Sequence, residues 1–389
     1  MKPYLYPATV FKTLGSTLGL GVLILGMLSG CAPRITAIKD EIENAEPIDN
    51  LAFEDISLEE ADTSGKPVWK LRARRATYQE QTQVAQVENP VGLIYQKGVE
   101  TYGVEAAKGE IYGDGDRIVM QGQVTVRHIP ENALLKGDQL EWLPAEDQLI
   151  LRTNINGTYK DLVLKAQEIK FSGQSNQMTV SGQVQAVLKN SQLRFNTEAV
   201  SWVINEQRVK GDRPVQVEHF SETNPAEIID RATALGLNVD LASQRSTLQP
   251  QAVVNLGKPA FDVRSDALTW DSRGNRVESN VPVTIVNRND QTTVTAQQGN
   301  MDLGSQVVTL TGNVTGFSPP QQANLSANQV IWQLASNQVQ ALGNVLYRKA
   351  NPVLEIRGSQ AMGRLNEETL VVTGEGGTKT QVKTVYVLD

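Results

Sequence analysis

The sequence predicts an all-β protein: an elongated, open β-jelly-roll ("taco") of two facing, mainly antiparallel sheets, built from about ten hairpin repeats of about 31 residues. Three observations predict it. A short phrase recurs at near-constant spacing. Apolar and polar residues alternate within each copy. Val, Thr, Gln and Asn are abundant, whereas aromatics make up only 5% of the 389 residues.

The phrase reads apolar, any, small, any, any, apolar, any, aromatic or large. It occurs as LKGDQLEW (Leu135–Trp142), LKAQEIKF (Leu164–Phe171), FNTEAVSW (Phe195–Trp202), VRSDALTW (Val263–Trp270) and LSANQVIW (Leu325–Trp332). Weaker copies begin at Leu71, Val104, Ala232, Val294 and Ile356. The small residue falls at Ala73, Ala106, Gly137, Ala166, Thr197, Ala234, Ser265, Ala296, Ala327 and Gly358, in steps of 33, 31, 29, 31, 37, 31, 31, 31 and 31. Four of the five tryptophans, Trp142, Trp202, Trp270 and Trp332, hold one station in the unit. That regularity suits packing ribs better than contacts to a polar headgroup.

Each unit reads as two strands. In the first, apolar positions two apart lose their parity across the "any, any" pair and then resume, which predicts a β-bulge or bend there. A polar turn follows, such as Ser172–Asn176 or Ser272–Asn275. The second strand alternates without a break. Met178, Val180, Gly182, Val184 and Ala186 share one face, as do Ile118, Met120, Gly122, Val124 and Val126. The recurrent glycine in that strand predicts a sharp bend or a close backbone approach.

One hairpin cannot bury its own apolar face, but stacked copies can. Ten units, each giving one strand to each of two sheets, would stack to roughly 50 Å. The 37-residue step contains a polar, proline-bearing stretch, Glu218–Arg231. It predicts an insertion, 218–231, between a first β-repeat half at 61–217 and a second at 232–389.

Composition narrows function. Net charge is −7 with no basic block, which argues against nucleic acid. One cysteine and two histidines, His128 and His219, leave no intrachain disulfide, no Cys/His zinc set and no catalytic constellation. We expect no enzyme, no catalytic or metal-ligating residue and no cofactor. Residues 1–31 combine a weakly basic start, an apolar run from Thr13 to Leu28 and the sequence LSGC. The run is short for a membrane span and suits an export signal. LSGC resembles a lipobox, making Cys31 the lipid-attachment candidate, with an uncleaved anchor as the other reading. Residues 32–60 are acidic without a sustained period and read as a spacer.

A membrane anchor, a spacer and this ladder of hairpins together resemble the LptC family, in an extended version. KPVWKLRARRATY (Lys66–Tyr78) is similar to the segment that opens the family's first strand. The family is related to LptA and other OstA-like β-domains and to the N-terminal domain of LptD. The resemblance implies a periplasmic subunit tethered to a membrane, most naturally the periplasmic face of the inner membrane. It also implies that lipopolysaccharide or a related glycolipid is taken from an inner-membrane ABC transporter and passed to an LptA-like bridge protein. Pairing of edge strands would join these partners, here Trp69–Tyr78 and a strand within Thr380–Asp389. This chain departs from the family in being longer and in carrying LSGC.

The lipid path would run over inward apolar side chains: Met120, Val124, Met178, Val180, Val184, Leu310, Val314 and Val345. The same residues would serve as plain core if the sheets closed on each other. The alternative function is an LptA-like periplasmic scaffold that organises envelope proteins and carries no lipid. A β-solenoid adhesin is disfavoured by the 31-residue hairpin unit.

Overall fold

Runs that alternate Val, Ile and Leu with Gln, Thr and Asn expose one polar face and bury one apolar face, the pattern of a half-covered sheet. The computed structural model describes residues 50–373, apart from 62–64, 97–98, 114–115, 131, 144–145, 147, 173, 272, 352 and 365–368. Cys31 and Thr380–Asp389 lie outside the described residues. Among those described are twenty-nine strands and no α-helix. The strands of the described residues pair antiparallel along the ladder.

The chain packs as two units. Among the described residues, an N-terminal unit comprises 50–189 with 196–209, and a C-terminal unit comprises 190–195 with 210–373. The stretch 218–231 continues the ladder. Val215–Phe220 pairs with Ile228–Ala234, with Glu218 opposite Arg231, so that only 221–227 is left as the turn of a hairpin.

Within each unit the strands are folded across a corner that recurs at one station. Leu162–Ser172 pairs with Gln148–Tyr159, with Ala166 opposite Ile155 and Ile169 opposite Leu151. Two residues separate Ala166 from Ile169, but three separate Ile155 from Leu151. The parity slip read in the first strand of each unit is therefore real, while the extra residue belongs to the partner strand. Gly137 and Leu140 face Val124 and Met120 with the same two-against-three count.

Two consecutive left-handed residues make the turn in that partner strand. They are Gly122–Gln123, Thr153–Asn154, Gly182–Gln183, Gly312–Asn313 and Gly343–Asn344, all at positive φ. Gly182 shows why glycine leads the pair. Its φ is +79°, and a Cβ there would stand 2.6 Å from Cβ of Gln167. Other units turn with proline instead, at Pro90, Pro214, Pro250 and Pro282. Proline offers no N–H and so ends the ladder at the bend.

The corner is where the small residue and the following apolar residue meet. Val124 faces Gly137, Val215 faces Ala234, Val283 faces Ala296, Val314 faces Ala327 and Val345 faces Gly358. Val124, Val314 and Val345 are all 2% exposed or less. Burying one such side chain contributes about 1.5–3 kcal/mol. The small residue also lets the next strand approach: a Cβ on Gly358 would lie 2.4 Å from the Thr373 carbonyl oxygen.

One expectation needs correction at the N-terminal end. Residues 50–60, read as spacer, belong to strand Asn50–Ala61, which pairs along Pro67–Gln79. Its alternation is Leu51, Phe53, then Ile56, Leu58. The two sets differ in parity and are reset at Asp55, where φ is +53°. That reset is what hid the period. Trp69–Tyr78 is consequently covered by a further strand on this side rather than forming the edge.

Candidate functional site: the inner face of the folded sheet

Each folded strand carries apolar side chains inward on both sides of the corner, and register aligns them into rows. In the C-terminal unit one row runs across successive partners from Val217 through Ala232, Val254, Val263, Ile285, Val294, Gly316, Leu325 and Tyr347 to Ile356. All are half-buried except Ile285, which is buried. The matching row of the N-terminal unit runs from Leu71 through Gly92, Val104, Val126, Leu135, Gly157 and Leu164 to Ala186. There only Ala186 is half-buried and the rest are buried.

The N-terminal unit is also filled nearer its rim. Tyr102, His128, Tyr159, Leu162 and Leu188 are buried, and the Tyr102 and His128 rings lie 5.1 Å apart at a 41° tilt. His128 thus packs against an aromatic ring. His219 faces Asp230 at 3.0 Å, in the hairpin that spans 218–231.

On the other side of the corner a row of large side chains runs farther from the bend. In the C-terminal unit it follows Ser246, Trp270, Val277, Met301, Val308, Trp332 and Val339. In the N-terminal unit Ile118, Trp142, Leu149, Phe171 and Met178 follow one another in the same way. The tryptophans are inner-face residues, and the Nε1 atoms of Trp202 and Trp332 are shielded without a hydrogen-bond partner among the described residues. Trp332 reaches Phe261 of the opposite limb, with ring centroids 5.0 Å apart.

Of the side chains expected to line a path, Val124, Val180, Val184, Leu310, Val314 and Val345 are buried at or beside the corner, forming a floor. Met120 and Met178 are half-buried. The half-buried residues of the C-terminal row were not singled out as lining, although Val263, Val294, Leu325 and Ile356 are the first apolar letter of the repeated phrase. Their signal was present in the pattern.

Two clusters of ion pairs lie on the outer face. Glu141 accepts hydrogen bonds from Arg152 and Arg117, each at 2.6 Å, and Arg152 also reaches Glu168 at 3.1 Å. The Arg152 and Arg117 hydrogen bonds hold the Glu141 carboxyl below the ordinary glutamate range. In the C-terminal unit Asp271 is held low chiefly by the Gly274 backbone N–H at 2.7 Å, then by Arg276. Arg245 joins this group by bonding Asp271 and Glu278. Among the described residues no cluster of three or more His, Cys, Asp or Glu is placed to hold a metal ion, and no helix is long and apolar enough to cross a membrane.

A folded antiparallel sheet of stacked hairpins, apolar within and polar without, defines the class. Residues 22–189 match the family model described as lipopolysaccharide-assembly, LptC-related. Among solved structures, the chain is similar to LptH of Pseudomonas aeruginosa, described as the LptA homologous periplasmic component of the lipopolysaccharide transport device. Identity is 12%, covering 37% of this chain and 78% of that one, with a TM-score of 0.17. It is also similar to the extracellular domain of the putative one-component system BT4673 of B. thetaiotaomicron, at 6% identity, 82% and 80% coverage and a TM-score of 0.10. Scores that low carry no argument about function. No curated protein matches the chain.

Proposed function

We propose that the chain is a membrane-anchored periplasmic subunit of lipopolysaccharide export. It accepts lipid from an inner-membrane ABC transporter on an apolar β-groove and passes it to a bridge protein. The LptC-related segment supports the setting. One observation carries the groove: the row from Val217 to Ile356, apolar throughout and half-buried at nearly every position. Acyl chains laid along it would leave water, a gain of about 0.8 kcal/mol per methylene, while a sugar headgroup stayed solvated. No bond is made or broken in such a passage. Energy enters through the transporter.

In this reading the buried valines of the corner are the floor, and Met120 and Met178 line the N-terminal unit. Cys31 would hold the membrane through an attached lipid. Strand Asn50–Ala61, paired on one side with Pro67–Gln79, would offer its other edge to a partner's strand. The scaffold reading has its own support, since the inner face of the N-terminal unit is packed to its rim by Tyr102, His128 and Tyr159.

Native mass spectrometry of the full chain, extracted with its membrane partners in mild detergent, separates the two. The proposed function predicts adducts with the mass of lipopolysaccharide or a related glycolipid. Co-purification of the transporter with no lipid adduct would leave the scaffold reading.

A further inference from the structure

We infer that the outer face of the corner in the N-terminal unit is a glycan-binding site. It is separate from the inner apolar rows and does not rest on the lipid reading. A cleft of about 490 Å³ lies there, lined by the carboxamides of Asn154, Asn156, Gln167, Gln183, Gln185 and Asn196. The two-against-three count at the corner creates it. The left-handed pair Thr153–Asn154 and the pair Gly182–Gln183 put single extra residues opposite Gln167, and their side chains stand outside the buried floor of Ile155, Ala166 and Val184.

The chemistry of the lining selects the ligand. A carboxamide both donates and accepts, as a sugar hydroxyl or acetamido group does, and it carries no charge to titrate. Asn156 donates to the Asn154 carbonyl at 3.0 Å, and Gln185 donates to Asn196 at 3.1 Å. Asn154 donates to the Asp138 carboxylate at 2.6 Å. These bonds orient the group, and among the described residues the Asn156 and Gln185 oxygens, the Asn196 NH2 and both ends of Gln167 and Gln183 have no side-chain partner. Thr197 adds a hydroxyl that is shielded and without a partner among the described residues. The lining holds no carboxylate and one cation, Lys165, which admits a neutral or weakly acidic sugar chain. Volume falls within the about 300–1,000 Å³ of ordinary ligand sites, whereas the polar, open character suits a ligand that keeps much of its hydration.

In the C-terminal unit Thr295 and Ser326 stand where Lys165 does, and Thr315 where Asn156 and Gln185 do; Thr295 and Thr315 spend their hydroxyls on each other at 2.7 Å. The places of Gln167 and Gln183 keep carboxamides there, Gln297, Asn313, Asn328 and Asn344, of which Asn344 donates to Asn328 at 3.3 Å.

The test is calorimetric titration of the full chain, in detergent micelles, with two soluble probes. Chitotetraose stands for a free wall-type glycan, and de-acylated, dephosphorylated lipopolysaccharide core oligosaccharide stands for the sugar part of a lipid headgroup. Binding of either supports the site, and which one binds identifies the source. The paired change Gln167→Ala with Gln183→Ala should weaken binding at least 10-fold, and Thr315→Ala should leave it unchanged. Gln183→Glu, near-isosteric and exposed, gives the same reading if the paired variant does not fold. No binding of either probe, or binding that these cleft variants leave intact, overturns the proposal.

Discussion

Trp332 meets Phe261 edge-on, with ring centroids 5.0 Å apart and planes at 72°, and this contact ties the two limbs of the folded sheet together in the C-terminal unit. Val263, two residues along the same strand, lies in the half-buried apolar row. The limbs are therefore held by particular side chains, and the row between them is left partly open.

Removing that tie should be measurable as stability. Phe261 is buried, and Phe261→Ala should lower unfolding free energy by about 3 kcal/mol. A double-mutant cycle with Trp332→Ala should show a coupling of about 0.5–1.5 kcal/mol by urea denaturation. Strict additivity would mean the rings do not support one another.

Thr153 occupies the station that other corners give to glycine, at φ +65°. A β-branched residue is strained there. Thr153→Gly should therefore raise stability, by about 1 kcal/mol and a few degrees in melting temperature. The reverse change at the matching corner, Gly182→Thr, should destabilise the fold, because its Cβ would meet Gln167 at 2.6 Å. A thermal melt that ranked the two changes the other way would show that the left-handed pair is not what makes the corner.

Acid should act through the outer-face ion pairs. The Glu141 carboxyl titrates below the ordinary 4.5 because Arg152 and Arg117 bond its charged form. A group depressed in the folded state adds stability above its unfolded pKa, and this contribution disappears as pH falls through the folded value. Glu141→Gln should thus be less stable than the native chain near neutral pH. The gap should begin to close as pH drops past the ordinary glutamate value and vanish below the folded one. Chemical denaturation at a series of pH values checks this, and a gap that widened in acid would contradict it.

Much of the fold was readable because burial repeats at a fixed step. Val124, Val184, Val314 and Val345 stand in the sequence where alternation puts them, and all are buried. The parity slip of the first strand could be read too, but not that the surplus residue lies across from it. That depends on backbone signs at Gly–Gln and Gly–Asn pairs which a pattern of letters does not carry. Proline corners escaped notice because Asn89–Pro90 and Val281–Pro282 share no letter with Gly182–Gln183, although they interrupt the ladder at the same place. Strand Asn50–Ala61 was hidden by its reset at Asp55 and by an acidic composition that resembles a solvated spacer. For the candidate site, sequence gave which side chains point inward but not how far the limbs close on them. Met120, Val263 and Leu325 are half-buried where Val126 and Leu164 are buried. That difference depends on which strands the fold brings side by side: Tyr102 and His128, 26 residues apart in the chain, pack ring against ring in the N-terminal unit.

The most direct test of lipid passage is site-specific photo-crosslinking in cells, with a photoreactive residue placed in turn at Val263, Leu325 and Ile356, and at the outward Arg264 and Arg357 as controls. Lipid carriage along the inner face predicts lipopolysaccharide adducts at the three inward positions and none at the two outward ones. Adducts at neither set, in cells where the chain still co-purifies with its transporter, would contradict it.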